Sequence, residues 1–190
     1  MKTKNNKLCK KNLKTLYRKI IIKDKVKDKD MYRYNKMIEK SLNRRVGVQY
    51  CSIIGKIYKY DEDTFSHCLR VGFISGYVAF QMGMNKKTVE KVFLGGLVHD
   101  LGKVLIPYEI LHKPSKLTET EKYIMSQHSD YGAEMLSLID DIDNLVIEIT
   151  KNHHRFSDDI LTRIVTVVDN VDALMTESAY KEAFTPEKTY

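Results

Sequence analysis

Gly95-Gly96-Leu97-Val98-His99-Asp100-Leu101-Gly102-Lys103 is a run of small and apolar residues that stops on an adjacent His-Asp pair, then a glycine and a lysine. Val89, Val92 and Phe93 upstream continue the spacing of a helix face, so the stretch reads as a buried helix that ends where the polar residues begin. Gly102 supplies the stop. Outward from this point, five of the 6 histidines are placed to converge on it: His67, His99, His128 and the neighbours His153 and His154. Asp100, Asp169 and Asp172 accompany them.

The surrounding pattern sets the fold class. Alternating strand and helix signals are missing, only 9 Gly and 3 Pro interrupt 190 residues, and apolar residues recur at helical intervals, so the expected class is all-α. With 43% hydrophobic residues the chain can build one core of ordinary size. Charge is unevenly spread beneath the net +7: residues 1–60 hold 19 Lys and Arg against 4 Asp and Glu, and residues 61–190 hold 13 against 21. The expected division is a basic helical N-terminal extension or linker over residues 1–45 and a single helical-bundle domain over 46–190. Such an arm can steer toward an acidic protein, nucleic acid or anionic lipid, or serve as a solvated linker. No stretch approaches the roughly 20 apolar residues of a membrane span. Met1 to Lys14 lacks the apolar centre of a signal peptide, and the expected location is cytoplasmic. Cys9, Cys51 and Cys68 make neither an even disulfide set nor a Cys-x-x-Cys pair. Cys68, directly after His67, is expected to turn about 100° away from it as a small buried hydrophobe.

Helices are expected over residues 12–30, with an apolar patch at Leu13, Leu16, Tyr17, Ile20 and Ile21, and over 32–43, 46–60 and 63–82. Asp61, Glu62 and Asp63 suit the positive end of the last of these. Asn85 to Thr88 reads as a turn and cap before a helix over 89–99. Residues 102–117 form an irregular segment with one short turn at 107–111, and His112 lies there among surface-type residues. Thr118 and Glu121 make a capping box for a helix running to about 138, which places His128, Gly132 and Met135 on one face. Two further helices are expected over 141–153 and 159–177, the second carrying Asp169 and Asp172 on one face.

Imidazole nitrogen and carboxylate oxygen together suit iron, manganese or a similar divalent ion, and the lack of cysteine ligands argues against structural zinc. The candidate ligands outnumber what one ion can use, which implies two, with Asp100 able to bridge ions roughly 3.5–4 Å apart. Such a pair would hold a hydroxide in line with a phosphorus atom, and Lys103 would add positive charge for the phosphate oxygens. Taken singly, the elements have plainer readings. A His-Asp dipeptide arises by chance, and a histidine pair near a helix end can cap carbonyls or face water. Asp169 is harder to dismiss, because it ends the apolar run Ile164-Val165-Thr166-Val167-Val168 and a buried carboxylate needs a cation or a donor.

Longer segments carry a family likeness. Asp63-Thr64-Phe65-Ser66-His67-Cys68-Leu69-Arg70-Val71, the stretch from Gly96 to Lys103, and Ile106-Pro107-Tyr108-Glu109-Ile110-Leu111-His112-Lys113-Pro114-Ser115-Lys116-Leu117-Thr118 are three of them. Met125-Ser126-Gln127-His128, Gly132-Ala133-Glu134-Met135-Leu136, His153-His154 and the stretch from Val168 to Thr176 complete the set. Together they resemble the HD superfamily of metal-dependent phosphohydrolases, specifically its HD-GYP branch, from about residue 61 to 187. The resemblance implies an HD-type bundle in which His67, His99, Asp100, His128, His153, His154 and Asp169 are metal ligands. It makes Asp100 the bridge and catalytic carboxylate, with Lys103 on the phosphate. Asp63 stands where members with a third metal place a glutamate, and Asp172 would help such an ion or fix a ligand histidine by hydrogen bonding. After His154 the chain departs from the pattern: Arg155-Phe156-Ser157-Asp158-Asp159-Ile160 replaces a glutamate and an Asp-Gly-x-Gly-Tyr-Pro loop. Arg155 has two readings, a substrate phosphate contact and a surface ion pair.

The activity implied is hydrolysis of a cyclic dinucleotide, cyclic di-GMP or a related molecule, with two divalent ions, iron or manganese, and room for a third. The alternatives are a phosphohydrolase for a linear nucleotide or other phosphoester, and a signalling module that binds metal or nucleotide without turnover.

Overall fold

The computed structural model describes residues 29–42 and 45–176, the side chains of 45–48 excepted. The expected helix over 12–30 and the binding partner of the basic arm fall almost wholly outside these residues. Nine α-helices follow one another among the described residues, with no strand: α1 (Lys29–Leu42), α2 (Arg45–Tyr60), α3 (Glu62–Gln81), α4 (Lys86–Val98), α5 (Tyr108–Leu111), α6 (Glu119–Ser126), α7 (His128–Ser137), α8 (Asn144–Asn152) and α9 (Ile160–Met175). A 3-10 turn, Leu101–Leu105, follows α4. No described helix is long and apolar enough to cross a membrane.

The stretch quoted first forms the centre. Every residue from Val92 to Asp100 is buried, because α4 is surrounded by α3, α8 and α9 rather than lying at the surface. Glycines permit that packing. A Cβ on Gly96 would sit 2.8 Å from Gly72 Cα, and one on Gly72 would sit 2.8 Å from Leu97 N, so the backbones of α3 and α4 touch. Gly72 meets Leu97 and Gly76 meets Phe93, which makes the two helices antiparallel. Tyr34 of α1 closes over this crossing, its hydroxyl donating to Phe73 O at 2.9 Å. With Ile38 and Leu42, Tyr34 places α1 in the same core as α2 to α4, on the N-terminal side of the expected boundary near residue 45.

Local chemistry fixes the helix starts. Asp61 accepts from Thr64 N, Asn85 from Thr88 N and Asp159 from Thr162 N, at 2.7, 3.1 and 2.9 Å. The Thr118 capping box forms as expected, with Thr118 N donating to Glu121 Oε2 at 2.7 Å and Glu121 N donating back to Thr118 Oγ1 at 3.3 Å. Lys113 also binds Glu121, and the two together pull its carboxyl down to a pKa of about 2.

Two expectations need correction. The helix expected from Thr118 to about 138 is two helices broken at Gln127. There Ser126 Oγ takes the carbonyl of Tyr123 at 2.7 Å, the His128 ring takes that of Met125 at 2.7 Å, and Gln127 N turns back to Ile124 O. Side chains thus outcompete the backbone for two carbonyls of the ladder. The helix expected from 141 begins only at Asn144, since Asp141 adopts φ 63°, outside the helical region, and Asp143 is the cap.

The 3-10 turn docks on α7 through Gly102, where an added Cβ would meet the carbonyl oxygen of His128 and lie 2.6 Å from Gly132 N. Both neighbours are backbone, so neither can swing away. Gly102→Ala should therefore destabilise the protein by roughly 1–3 kcal/mol, the usual cost of overpacking. The urea midpoint reads this directly, and an unchanged midpoint would contradict the close approach.

Candidate metal centre

Three histidines occupy the places where helices stop. His99 follows the last residue of α4, His153 follows the last residue of α8, and His128 opens α7 just after the break at Gln127. A helix end leaves carbonyls without amide partners. Each ring takes the one three residues back: His99 Nδ1 reaches Gly96 O at 2.8 Å, His128 Nδ1 reaches Met125 O at 2.7 Å, and His153 Nδ1 reaches Thr150 O at 2.7 Å. A carbonyl oxygen only accepts, so Nδ1 carries a proton in all three rings. When the rings are neutral, the Nε2 lone pairs point the other way, toward one another.

His67, in the second turn of α3, is aimed differently. Its Nδ1 donates to Asp172 Oδ2 of α9 at 2.7 Å, and its Nε2 lies 2.9 Å from Asp169 Oδ1 and 3.6 Å from Asp100 Oδ2. Asp100 lies at the middle: Oδ2 is 3.4 Å from His99 Nε2 and Oδ1 is 3.2 Å from His128 Nε2. Asp169 Oδ1 is 3.5 Å from His99 Nε2, and Oδ2 is 3.8 Å from His154 Nδ1. All seven residues expected as ligands therefore come together, from helices far apart in sequence.

The donor set fits metal ions. Nε2 of His128 and Nε2 of His153 face each other at 3.2 Å. Two neutral rings with Nδ1–H outward bring two lone pairs into opposition there, which a shared cation relieves; two nitrogens on one ion at ~2.1 Å are roughly 3.0–3.4 Å apart. His99 Nε2 and Asp100 Oδ1 are buried and make no well-aligned hydrogen bond, although Asp100 Oδ2 lies 3.4 Å from the first and His128 Nε2 lies 3.2 Å from the second. Three groups bring ligand atoms within 4.8 Å of one another: His128, His153 and His154; His67, His99 and Asp100; His99, His153 and Asp169. His99 and His153 belong near the middle of one continuous cluster rather than to separate sites.

Electrostatics follow from this crowding. Burial opposes the charged form of His99, but Asp100 and Asp169 outweigh it and lift its pKa to about 10. His67 is also raised, burial being overcome by Asp169 and Asp172. His153 goes the other way, to about 2, because burial acts together with the positive charge on His99. Burial and His128 likewise lower His154, the exposed member. Asp100 is held well below the carboxylate range despite its burial, by Lys103 and then His99. Lys103 Nζ donates to Asp100 Oδ2 at 2.6 Å, and this partner raises the lysine against the effect of burial. The side chain of Lys103 is 23% exposed and that of His154 46%, so the cluster opens to solvent on their side.

The remaining expected residues fall as follows. Asp172 is bonded to His67 and, through both oxygens, to Arg70, whose Nε and Nη2 lie at 2.7 and 2.8 Å. Asp63 is exposed in the first turn of α3. Arg155 pairs with Asp130 at 2.5 Å, the surface ion pair of its two readings. His112 sits 3.4 Å from Asp61 Oδ1, its ring tilted 38° against that of Tyr108. Cys68 is fully buried in the apolar core, as expected of a small hydrophobe, and burial, then the charge of Asp100, raises its thiol. Arg70 had no expected role; its position three residues after His67, on the same face of α3, was the available signal.

An all-helical bundle whose helix ends and carboxylates surround a buried imidazole cluster defines a class of metal-binding domain. The chain belongs to the HD domain family, which residues 64–174 match. It is similar to "Cyclic di-GMP phosphodiesterase" of Thermotoga maritima, 32% identical over 184 residues covering 89% of this chain and 48% of that one. It is also similar to "3'3'-cGAMP-specific phosphodiesterase 1" of Vibrio cholerae, 32% identical over 131 residues, 62% of this chain and 30% of that one. The chain thus spans about half or less of the length of these relatives. The crystal structure of the HD domain of the L. monocytogenes phosphodiesterase PgpH shares the fold, with a TM-score of 0.55 and 20% identity over 68% of this chain and 76% of that one. The same domain in complex with cyclic-di-AMP superposes with a TM-score of 0.53 at 21% identity, over 67% and 75% of the two chains.

Proposed function

We propose that this protein is a metal-dependent phosphodiesterase that hydrolyses a cyclic dinucleotide. The observation that carries the reading is the set of inward-facing Nε2 atoms, above all the 3.2 Å approach of His128 and His153. The names of the T. maritima and V. cholerae relatives, and the cyclic-di-AMP complex of the PgpH domain, support the substrate class. His67, His99, Asp100, His128, His153, His154 and Asp169 would hold two divalent ions, and the mixed nitrogen and oxygen donors suit iron or manganese. Asp172 is engaged with His67 and Arg70 and Asp63 is exposed, so two ions rather than three are proposed.

Bound there, the ions supply Lewis-acid charge and make water nucleophilic at neutral pH. The chain's own residues do the rest. Asp100 turns one oxygen toward His67 and His99 and the other toward His128, so a single carboxylate spans both halves of the cluster. Lys103, kept protonated by Asp100, presents its ammonium at the open side, where a phosphate oxygen would arrive. Rings locked through Nδ1 keep their Nε2 atoms in place as charge builds on phosphorus.

Purified protein with manganese or ferrous iron should convert cyclic di-GMP or 3'3'-cGAMP to linear product, and a chelator should stop it. A second reading, a linear nucleotide or other phosphoester, is favoured by the short link of residues 155–159 and the exposed His154. Cleavage of linear dinucleotide or an aryl phosphodiester with the cyclic compounds untouched would replace the first reading by the second. Bound metal without turnover of any of them would make the protein a binding module.

A further inference from the structure

One part of the cluster is held by a different device from the rest. His99, His128 and His153 take their orientation from carbonyls three residues away in their own chain, so the backbone alone aims them. His67 depends on a side chain 105 residues distant, Asp172 of α9. A carboxylate can rotate about its own bonds, and nothing in a lone Asp–His contact would fix its plane. Arg70 fixes it: Nε reaches Asp172 Oδ1 at 2.7 Å and Nη2 reaches Oδ2 at 2.8 Å, a two-point grip that matches the plane of the guanidinium to that of the carboxylate. Nη2 also reaches Thr176 Oγ1 at 3.3 Å, tying the same group to the end of α9. Arg70 and His67 are three residues apart on α3, so the arginine, the aspartate and the imidazole close a ring across α3 and α9.

We infer that Arg70 is a positioning residue which, through Asp172 and His67, secures one of the two ion subsites and leaves the other to the backbone-aimed His128 and His153 together with His154. The inference rests on the metal-dependent reading above. The subsite served by His67 is accordingly the weaker and adjustable one. The subsite of His128, His153 and His154 is indifferent to residue 70.

Manganese titration of the full chain tests this, comparing wild type with Arg70→Met, which keeps the apolar stem, and Arg70→Lys, which keeps the charge without the two-point grip. Wild type should bind two ions. Arg70→Met should bind the first with unchanged affinity and the second about 10-fold more weakly, the low end of what a lost outer partner of a ligand costs. Excess manganese should restore its turnover, and Arg70→Lys should fall between. A general loss of packing would weaken both ions together and would overturn the assignment. So would two unchanged affinities accompanied by a raised KM, since Arg70 would then be touching substrate. If wild type itself bound no manganese, the metal-dependent reading would fall and this inference with it; two ions in wild type and both variants at equal affinity would remove only the role of Arg70.

Discussion

Asp100→Ala is expected to leave the protein with at most one bound ion and to lower phosphodiester hydrolysis at least about 100-fold. Its two oxygens face different histidines, Oδ1 toward His128 and Oδ2 toward His67 and His99, so no other side chain can take over both contacts. Removing it also strips Lys103 of its partner 2.6 Å away and leaves an unpaired ammonium beside the cluster. Asp100→Asn separates the two effects. The amide keeps the shape and a hydrogen-bonding oxygen, so its melting temperature should stay nearer to wild type while metal content and turnover both fall. Metal analysis after gel filtration decides the matter: two ions retained in either variant would contradict the bridging role.

Loading the metal-free protein near pH 7.5 should release at least one proton per molecule. His99, lifted to about 10 by Asp100 and Asp169, is charged at that pH and must lose its Nε2 proton to bind an ion. Calorimetry in buffers of different ionisation heat counts the protons, and apparent affinity should rise with pH up to about 10. The same shifts set the stability of the metal-free form. His99, raised above an unfolded value of roughly 6.5, contributes stability that is complete below 6.5 and is lost as pH climbs through about 10. His153, lowered to about 2, contributes stability that is complete above 6.5 and is lost as pH falls toward 2. The two limbs meet, so the metal-free protein should melt highest near pH 6.5. Metal should then stabilise it most on the alkaline side, by about 2.7 kcal/mol at a free-ion concentration 100 times Kd. A melting curve that rises steadily to pH 9 without metal would contradict the assigned charge on His99.

Much of this was readable from one dimension because the deciding signals are local. The capping box at Thr118 and Glu121, the cap at Asn85 and the buried run into His99 each depend on residues within a turn or two of one another, and all formed as expected. The all-helical class followed from apolar spacing, and membership of the HD family from motifs around His99 and Asp169. What escaped was the outcome of competition or of long-range pairing. Whether Ser126 and His128 would divert the carbonyls of Tyr123 and Met125 depends on small energy differences that periodicity does not report. The bond from Arg70 to Asp172 joins residues 102 apart, and nothing near either names the other.

The carbonyls that steer His99, His128 and His153 make the aim of each ring a property of where the helix before it stops, not of what surrounds it. The accuracy of the centre is therefore stored as a count of residues. Lengthening α4 or α8 by a single residue ahead of its histidine would rotate that ring by about 100°, disarming the centre more thoroughly than many exchanges of side chains on the outer surface. Variation in this part of the chain should accordingly tolerate changes of letter far better than changes of length.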